Sequence, residues 1–197
     1  EVPALDIIVI DDGSQDETFT LAKNSKATLL QHEINKCKGE ALKTGFTYAK
    51  SKNYDYLITL DADLQHDPKY LKNFIYKIES SKCDIIIGTR DFTFQNMPWD
   101  RFLTNFISSV ILTLLSGQKI KDSQSGYRLI STKVLRDIVL KCKKYDLESE
   151  ILIKAGRKGF KIDSVEISTI YQGSQSFINP MVDTGRFLKI CWKSLFW

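Results

Sequence analysis

Residues 54–68 read YDYLITLDADLQHDP and carry the clearest signal of the fold class. Its first seven residues form a short apolar run rich in aromatic and branched side chains, which predicts a buried strand. Two carboxylates, Asp61 and Asp63, follow the strand directly, and Pro68 then opens a helical pattern over 68–81. The stretch therefore predicts a strand, an acidic turn and a helix, which together form half of a βαβ unit.

The same alternation of apolar runs and helical periodicity extends on both sides of this stretch. Further strands are predicted over 5–10, 27–31, 84–88, 123–131 and 161–171, and further helices over 38–51, 98–117, 148–158 and 183–197. This order favours an α/β fold with a mainly parallel central sheet flanked by helices. Because no linker or repeat interrupts residues 1–197, we expect a single domain.

Composition excludes several classes of protein. Of the 197 residues, 43% are hydrophobic and 26% are charged, which is too apolar for a disordered tail. The formal net charge is only +4 and basic blocks are absent, so we expect no nucleic-acid partner. The four cysteines are widely spaced without a C-x-x-C pair, which disfavours a disulfide framework or a zinc site and fits a reducing cytosol.

The turn after the strand at 54–60 is the strongest functional signal. In open α/β sheets, ligands bind beyond the carboxyl ends of the strands. Asp61 and Asp63 lie one residue apart there and can converge on one Mg²⁺ or Mn²⁺ ion, which shares its oxygen ligands with substrate phosphates. Two exposed turn aspartates would explain the pair alone, but its place at a strand end favours a metal site.

A second acidic strand end, Asp11-Asp12-Gly13-Ser14, follows the strand at 5–10. Its aspartates can accept hydrogen bonds from the ring N–H of a base or from ribose hydroxyls. A turn that caps the next helix would explain the same residues. The presence of two acidic strand ends in one sheet favours a nucleotide site.

Three arginines are candidate phosphate ligands because the guanidinium fork matches phosphate oxygens. They are Arg90, Arg101 and Arg128. Any one of them could instead be a surface ion-pair partner. Arg128 is the strongest candidate, since it lies beside a glycine in the polar loop 122–128.

Two acidic residues, Glu148 and Glu150, open the helix predicted over 148–158. Acidic side chains in a first turn favour the helix dipole. A general base, or a polar contact to the acceptor, is the functional alternative. The residues alone leave both readings open.

Taken together, these segments resemble the family 2 glycosyltransferases of GT-A fold, and more closely the dolichyl- or polyprenyl-phosphate sugar transferases. The matching pieces occur in family order: IDDGS at 10–14, KGEALKTGF at 38–46, LDADLQHDP at 60–68, GTR at 88–90, DSQSGYR at 122–128 and ESEILIKA at 148–155. The resemblance covers nearly the whole chain. LDADLQHDP and DSQSGYR together are specific, whereas DDGS alone is not.

The resemblance implies a role for each matching residue. The expected donor-binding residues are Asp11, Asp12, Gly39, Asp61, Gln65, Arg90 and Arg101. The expected ligands of Mg²⁺ or Mn²⁺ are Asp61, Asp63 and Gln65, with Asp63 at the centre. The expected catalytic residues are Asp61, Asp63, Arg128 and Glu150.

The implied activity is inverting transfer of a sugar from a GDP-mannose or UDP-glucose type of donor to a polyprenyl or dolichyl phosphate. Alternatives are a saccharide hydroxyl acceptor, which requires a base such as Glu148 or Glu150, and a non-catalytic nucleotide-binding relative. A dinucleotide enzyme is disfavoured because no G-x-G-x-x-G follows the first visible strand.

Two departures from the family pattern stand out. The family's first strand, with a Pro and an Asn-Glu pair, has no counterpart, so we expect it to be missing from this chain. The stretch 171–177 lacks the basic motif of the dolichyl-phosphate mannose enzymes, which argues against mannose.

The segments 98–117 and 183–197 are candidate membrane-interface helices. The apolar run 102–115 has about 14 residues, short of the ~20 that a spanning helix needs. The last helix combines an aromatic and aliphatic face with Arg186, Lys189 and Lys193, which suits an anionic membrane surface. We therefore expect peripheral attachment at the cytosolic face; docking on the protein's own core is the alternative.

Overall fold

The computed structural model describes residues 5–90, 99–168 and 180–197, without the side chains of residues 100, 101 and 180–183. These residues form the strands β1 (Ile8–Asp11), β2 (Thr28–Gln31), β3 (Tyr56–Thr59), β4 (Ile85–Arg90), β5 (Arg128–Ser131) and β6 (Ile162–Ile167). They also form the helices α1 (Thr18–Lys23), α2 (Lys38–Ser51), α3 (Leu71–Ser81), α4 (Trp99–Ser116), α5 (Thr132–Asp137), α6 (Asp146–Arg157) and α7 (Pro180–Ser194).

The strands form two hydrogen-bonded groups. β1 pairs with β2 in parallel, and the other four strands follow the order β3-β5-β4-β6. β5 is antiparallel to both β3 and β4, whereas β4 is parallel to β6. Three of these four strands therefore run in one direction, which confirms the mainly parallel α/β architecture. Nothing in the sequence pattern indicated that β5 would run against its neighbours.

One helix, α2, packs against both groups of strands and aligns them. It contacts β1 and β3, and the Tyr54 hydroxyl just before β3 donates to the Asp6 carboxylate just before β1. Both strands therefore pack on α2 with their carboxyl ends at its amino end, although they form no ladder with each other in the described ranges. Within the described ranges, β1 pairs only with β2 and β3 pairs only with β5. The additional first strand of the family pattern stays a prediction.

The core lies on both faces of β4. Ile85 and Ile87 point to one face, where they join a buried cluster with Leu112 of α4. Ile86 points to the opposite face and packs with Phe74 of α3. Burial on both faces explains why β4 is an uninterrupted apolar run instead of an alternating one.

Helix α4 buries several polar side chains beside Leu112 and leaves a row of apolar side chains exposed. Asn105, Ser108 and Ser109 are buried and hold Ser123 of the following loop, with 2.6 Å between the Ser108 and Ser123 hydroxyls. This anchoring explains why residue 123 lies in a loop although the pattern predicted a strand over 123–131. The outward face exposes Trp99, Leu103, Phe106, Ile107, Val110 and Leu114.

Helix α7 is held by α6 but leaves an apolar face uncovered. The Arg157 guanidinium donates to the Ser194 carbonyl, and the Lys154 ammonium lies 4.3 Å from the centre of the Trp197 ring. The exposed apolar side chains are Leu188, Trp192, Leu195, Phe196 and Trp197. In the described part of the chain, no helix combines the length and apolarity needed to cross a bilayer.

Candidate functional site

The two acidic strand ends meet at the amino end of α2. The backbone N–H of Lys36 donates to Oδ1 of Asp12 over 2.9 Å, and Nζ of Lys38 donates to Oδ2 of Asp61 over 2.8 Å. One short segment, the turn into α2, thus touches the acidic end of β1 and that of β3. Asp12 and Asp61 therefore lie at the same end of α2, although the strands that they follow belong to two hydrogen-bonded groups and not to one sheet as predicted.

Lys38 is the cation at the centre of this edge. Its Nζ is also 3.4 Å from Oε2 of Glu148 and lies 5.8 Å from the centre of the Tyr145 ring. Burial lowers the pKa of Lys38, but Glu148 and Asp61 outweigh that effect and hold the pKa above its ordinary value. The ammonium group therefore stays charged and links the turn after β3 to α6.

Sequence reasoning missed Lys38, although a signal was present. A cation in the first turn of a helix opposes the helix dipole. Lys38 is the first residue of α2, so its position is unfavourable unless nearby carboxylates compensate for it. Asp61 and Glu148 provide that compensation.

The loop 122–128 closes against Asp61. A side chain at Gly126 would place its Cβ 2.4 Å from Oδ2 of Asp61 and 3.1 Å from Nζ of Lys38. A side chain here would have to displace the Asp61 carboxylate, so glycine lets the loop backbone approach it. The DSQSGYR motif thus contributes to the site because its glycine lets the loop backbone lie against Asp61.

Asp63 is the exposed carboxylate of the turn. Leu64 adopts a left-handed conformation with φ of 61°, and the backbone N–H of Gln65 donates to Oδ1 of Asp63 over 3.0 Å. No group of three or more His, Cys, Asp or Glu side chains suited to a metal occurs in the described ranges. A pair of carboxylates that leaves positions for substrate phosphates nevertheless fits Mg²⁺, which is seldom held by protein ligands alone.

Asp11 and Asp12 differ although they are adjacent. Asp11 is only 2% exposed, and its two oxygens accept from the Ser14 N–H over 3.0 Å and from Nε2 of Gln31 over 3.2 Å. The hydrogen bonds from Ser14 lower the pKa of Asp11 despite burial. These contacts revise the expectation that Asp11 binds the donor, because both of its oxygens stabilise the turn.

Two of the candidate arginines serve the fold. Arg128 is 1% exposed and donates to the backbone carbonyls of Ser123, Ser125 and Glu148 over 2.7 to 2.9 Å. Arg90 forms a two-pronged pair with the buried Asp122, at 2.8 and 2.9 Å. Both guanidinium groups therefore brace the loop 122–128, which revises their expected role as phosphate ligands.

The side chain of the third arginine, Arg101, lies outside the part of the chain that the structure describes. Its backbone belongs to α4. A contact between Arg101 and phosphate stays a prediction.

Glu150 and Gly39 also hold elements together. Glu150 is 0% exposed and accepts from the N–H groups of Lys141 and Cys142 and from Nζ of Lys154. A carboxylate so enclosed has no open side for an acceptor, which revises its expected catalytic role. A Cβ at Gly39 would lie 2.4 Å from backbone of residue 143, so Gly39 permits close packing of α2 instead of lining a ligand.

His66 is a buried neighbour of the acidic turn that sequence reasoning did not single out. Its ring lies 5.6 Å from that of Tyr127, which stacks on Phe74. Burial, and then the charge of Arg90, lower the pKa of His66. His66 therefore joins the end of the acidic turn to the aromatic pair Tyr127 and Phe74.

Comparison with known proteins identifies the fold and the family. Residues 1–139 match the model of glycosyl transferase family 2. The chain belongs to this family. The resemblance in the sequence motifs is thereby confirmed, and the chain is a glycosyltransferase by family.

Curated relatives include enzymes of lipid-linked sugar transfer. The UDP-N-acetylglucosamine–dolichyl-phosphate N-acetylglucosaminyltransferase of Methanococcus voltae is 34% identical over 187 residues, covering 84% of this chain and 74% of that protein. The polyprenol monophosphomannose synthase of Mycolicibacterium smegmatis is 29% identical over 178 residues, covering 84% of this chain and 67% of that protein.

Among solved structures, the chain is similar to glucosyl-3-phosphoglycerate synthase from Mycobacterium tuberculosis in complex with Mg²⁺ and uridine diphosphate. The TM-score is 0.70 at 19% identity, covering 95% of this chain and 66% of that chain. This likeness confirms the GT-A-like nucleotide-sugar transferase fold.

Proposed function

We propose that this family 2 glycosyltransferase moves a sugar, with inversion, from a nucleoside-diphosphate sugar to a polyprenyl or dolichyl phosphate. The observation that carries the proposal is that Asp12 and Asp61 both bond to the turn into α2, with the exposed Asp63 two residues after Asp61. Relatives named for dolichyl-phosphate and polyprenol-phosphate sugar transfer support the acceptor class.

In this proposal the donor lies across the acidic edge. Asp12 accepts a hydrogen bond from the nucleoside, and the diphosphate reaches the turn of Asp61 and Asp63. Asp63, with Asp61 and Gln65 beside it, would hold Mg²⁺ or Mn²⁺, and the ion would supply positive charge to offset the negative charge that develops on the departing diphosphate. Complexes of the structurally similar synthase with Mn²⁺ and UDP-glucose support this class of donor and metal.

Lys38 keeps the turn in place for this step. Its ammonium fixes one oxygen of Asp61 and pairs with Glu148. Two carboxylates close together repel each other and any approaching phosphate, and the cation between them reduces that repulsion. The residue therefore sets the geometry of the turn before the donor arrives.

A lipid phosphate acceptor requires no strong base, since its oxygen is already ionised near neutral pH. That oxygen attacks the anomeric carbon from the face opposite the leaving diphosphate, and positioning supplies most of the catalysis. A hydroxyl acceptor would need a base, yet Glu150 is enclosed and Glu148 faces Lys38. The engagement of these two candidate bases favours the phosphate acceptor.

Peripheral attachment to the cytosolic face of a membrane completes the proposal. Helices α4 and α7 contact each other. Their outward faces expose aromatic and aliphatic side chains, among them Trp99 and Phe106 on α4 and Leu188 and Trp192 on α7. An interfacial helix buries such a face at headgroup depth, where a lipid phosphate also lies. α7 also docks on the core through Ile190 and Phe187, so attachment would use only its exposed side, which carries Leu188 and Trp192.

Incubation with labelled nucleotide sugars, Mn²⁺ and polyprenyl phosphate tests the acceptor. We expect label in the organic phase, and none there with Asp63→Ala. Label that appears only in water-soluble saccharide would favour the hydroxyl-acceptor alternative. Release of free sugar alone would contradict a lipid acceptor.

Sedimentation with anionic liposomes tests the attachment. Wild type should pellet, and Trp192→Glu with Phe196→Glu should remain in the supernatant. Leu21→Glu with Tyr76→Glu is the matched control, since both side chains are exposed on other helices. Equal pelleting of the two double variants would contradict attachment through α7.

A further inference from the structure

The end of β2 holds both aspartates at the end of β1. Gln31 donates from Nε2 to Asp11, and the next residue, His32, places Nδ1 2.6 Å from Oδ1 of Asp12. Two consecutive side chains thus fix two consecutive carboxylates on the neighbouring parallel strand. The Asp11 contact lies within the fold, whereas the Asp12 contact lies at the proposed donor site.

The hydrogen-bond pattern assigns the proton on His32. A carboxylate accepts and does not donate, so Nδ1 carries the hydrogen that faces Asp12. Nε2 then faces the Thr44 hydroxyl of α2 at 2.9 Å. His32 is 8% exposed, so both ring nitrogens are engaged inside the protein and the ring links α2 to Asp12.

A second contact, from the segment that leads into α2, also holds Asp12. Its Oδ1 also accepts from the Lys36 N–H. A Cβ at Gly13 would lie 2.7 Å from backbone atoms of Ile34 and Asn35, so the turn after β1 rests directly on the segment 33–36. Within the described ranges, no protein group donates to Oδ2 of Asp12, which leaves that oxygen as the acceptor for a ligand.

We propose that His32 is a positioning residue for the donor nucleoside: it fixes Oδ1 of Asp12 so that Oδ2 accepts an N–H of the base or a ribose hydroxyl. This inference rests on the proposed function and adds a residue that does not itself touch the donor. Preorganisation of this kind improves affinity because the acceptor loses no freedom when the ligand binds.

Two substitutions separate the contacts of the ring. The amide nitrogen of His32→Asn occupies the place of Nδ1 and still donates to Asp12. The amide of His32→Gln reaches the place of Nε2 and meets Thr44 instead. Gln31→Ala is the matched control, because Gln31 makes the equivalent contact to the structural Asp11.

Calorimetric titration of UDP and of GDP, each with MnCl₂, is the main test. For whichever nucleotide binds wild type, we expect His32→Gln to bind about tenfold more weakly, the size of a lost hydrogen bond to a charged group. His32→Asn and Gln31→Ala should stay within about threefold of wild type on the same reasoning. Equal affinities for His32→Asn and His32→Gln would overturn the positioning role.

A second readout distinguishes failure of this inference from failure of the proposed function. A long-range ¹H–¹⁵N spectrum of the unliganded protein should show His32 protonated at Nδ1, and that signal should change in Asp12→Ala. Protonation at Nε2 alone would overturn the inference whatever binds. If wild type bound neither nucleotide, the proposed function and the positioning role would both fall, although the Nδ1 proton would still be seen.

Discussion

The acidic ends of β1 and β3 each place a carboxylate where a ligand can reach it, but different contacts hold their aspartates. At β1, Asp11 is buried with both oxygens bonded and Asp12 keeps one oxygen for a ligand. At β3, Asp61 is bound to Lys38 and Asp63 stays exposed. In each pair the second carboxylate keeps an oxygen open to a ligand, and at β3 Lys38 bonds only Oδ2 of Asp61, so Asp61 keeps one as well. An acidic pair in a sequence therefore predicts where a site lies, but not which of the two carboxylates binds the ligand.

The largest effect should come from Asp63, the exposed member at β3. Asp63→Ala should lower transfer by more than about a hundredfold, because it removes the central metal ligand. The free energy of unfolding should change by less than about 0.5 kcal/mol, since an exposed turn residue adds little to the core. Initial rates and urea unfolding measure the two quantities. Asp61→Asn should cost less activity, and a fully active Asp63→Ala would contradict the metal assignment.

Arg128 should matter more for the stability of the protein than for the reaction. Arg128→Lys should lower the free energy of unfolding by about 3 kcal/mol, because a lysine cannot reach three buried carbonyls at once. The folded fraction, assayed at low temperature, should keep far more activity than Asp63→Ala. Unchanged stability together with lost transfer would show instead that Arg128 contacts a phosphate.

Gly126 tests whether the loop 122–128 sets the position of Asp61. Gly126→Ala places a methyl group against Oδ2 of Asp61, so transfer should fall about tenfold, as for a displaced supporting contact. Gly185→Ala is the control, because a Cβ there meets no atom within 4 Å. Equal rates for the two alanine variants would indicate that Asp61 tolerates displacement.

Glu150 should affect the pH dependence of stability more than the reaction. Burial raises the pKa of Glu150, but Lys154 and two backbone N–H groups outweigh it, so the folded pKa lies below its ordinary value. The stabilisation is therefore present above the unfolded pKa of about 4.3 and is lost as pH falls through the folded pKa. Glu150→Gln should cost about 2 kcal/mol at pH 7 and flatten the acid limb of the stability curve. An unchanged acid limb would contradict the burial of a charged Glu150.

The sequence predicted the strands, most of the helices and the meeting of the acidic turns, because apolar periodicity and strand ends are local signals. It did not predict that Arg128 and Glu150 are structural, since most of their backbone partners lie in the loops 122–128 and 138–145, and the path of a loop cannot be read from its side-chain pattern. Lys38 and His32 were also missed. Their roles depend on neighbours 23 and 20 residues away along the chain, which only the packing of α2 and β2 brings close.

The most direct test of the account is the binding of Mn²⁺ followed by its electron paramagnetic resonance signal, with and without UDP or GDP. We expect wild type to bind Mn²⁺ weakly alone and much more tightly with a nucleoside diphosphate. Asp63→Ala should lose the tight binding. Mn²⁺ bound by Asp63→Ala as tightly as by wild type would contradict the claim that this turn and the donor diphosphate hold the metal together.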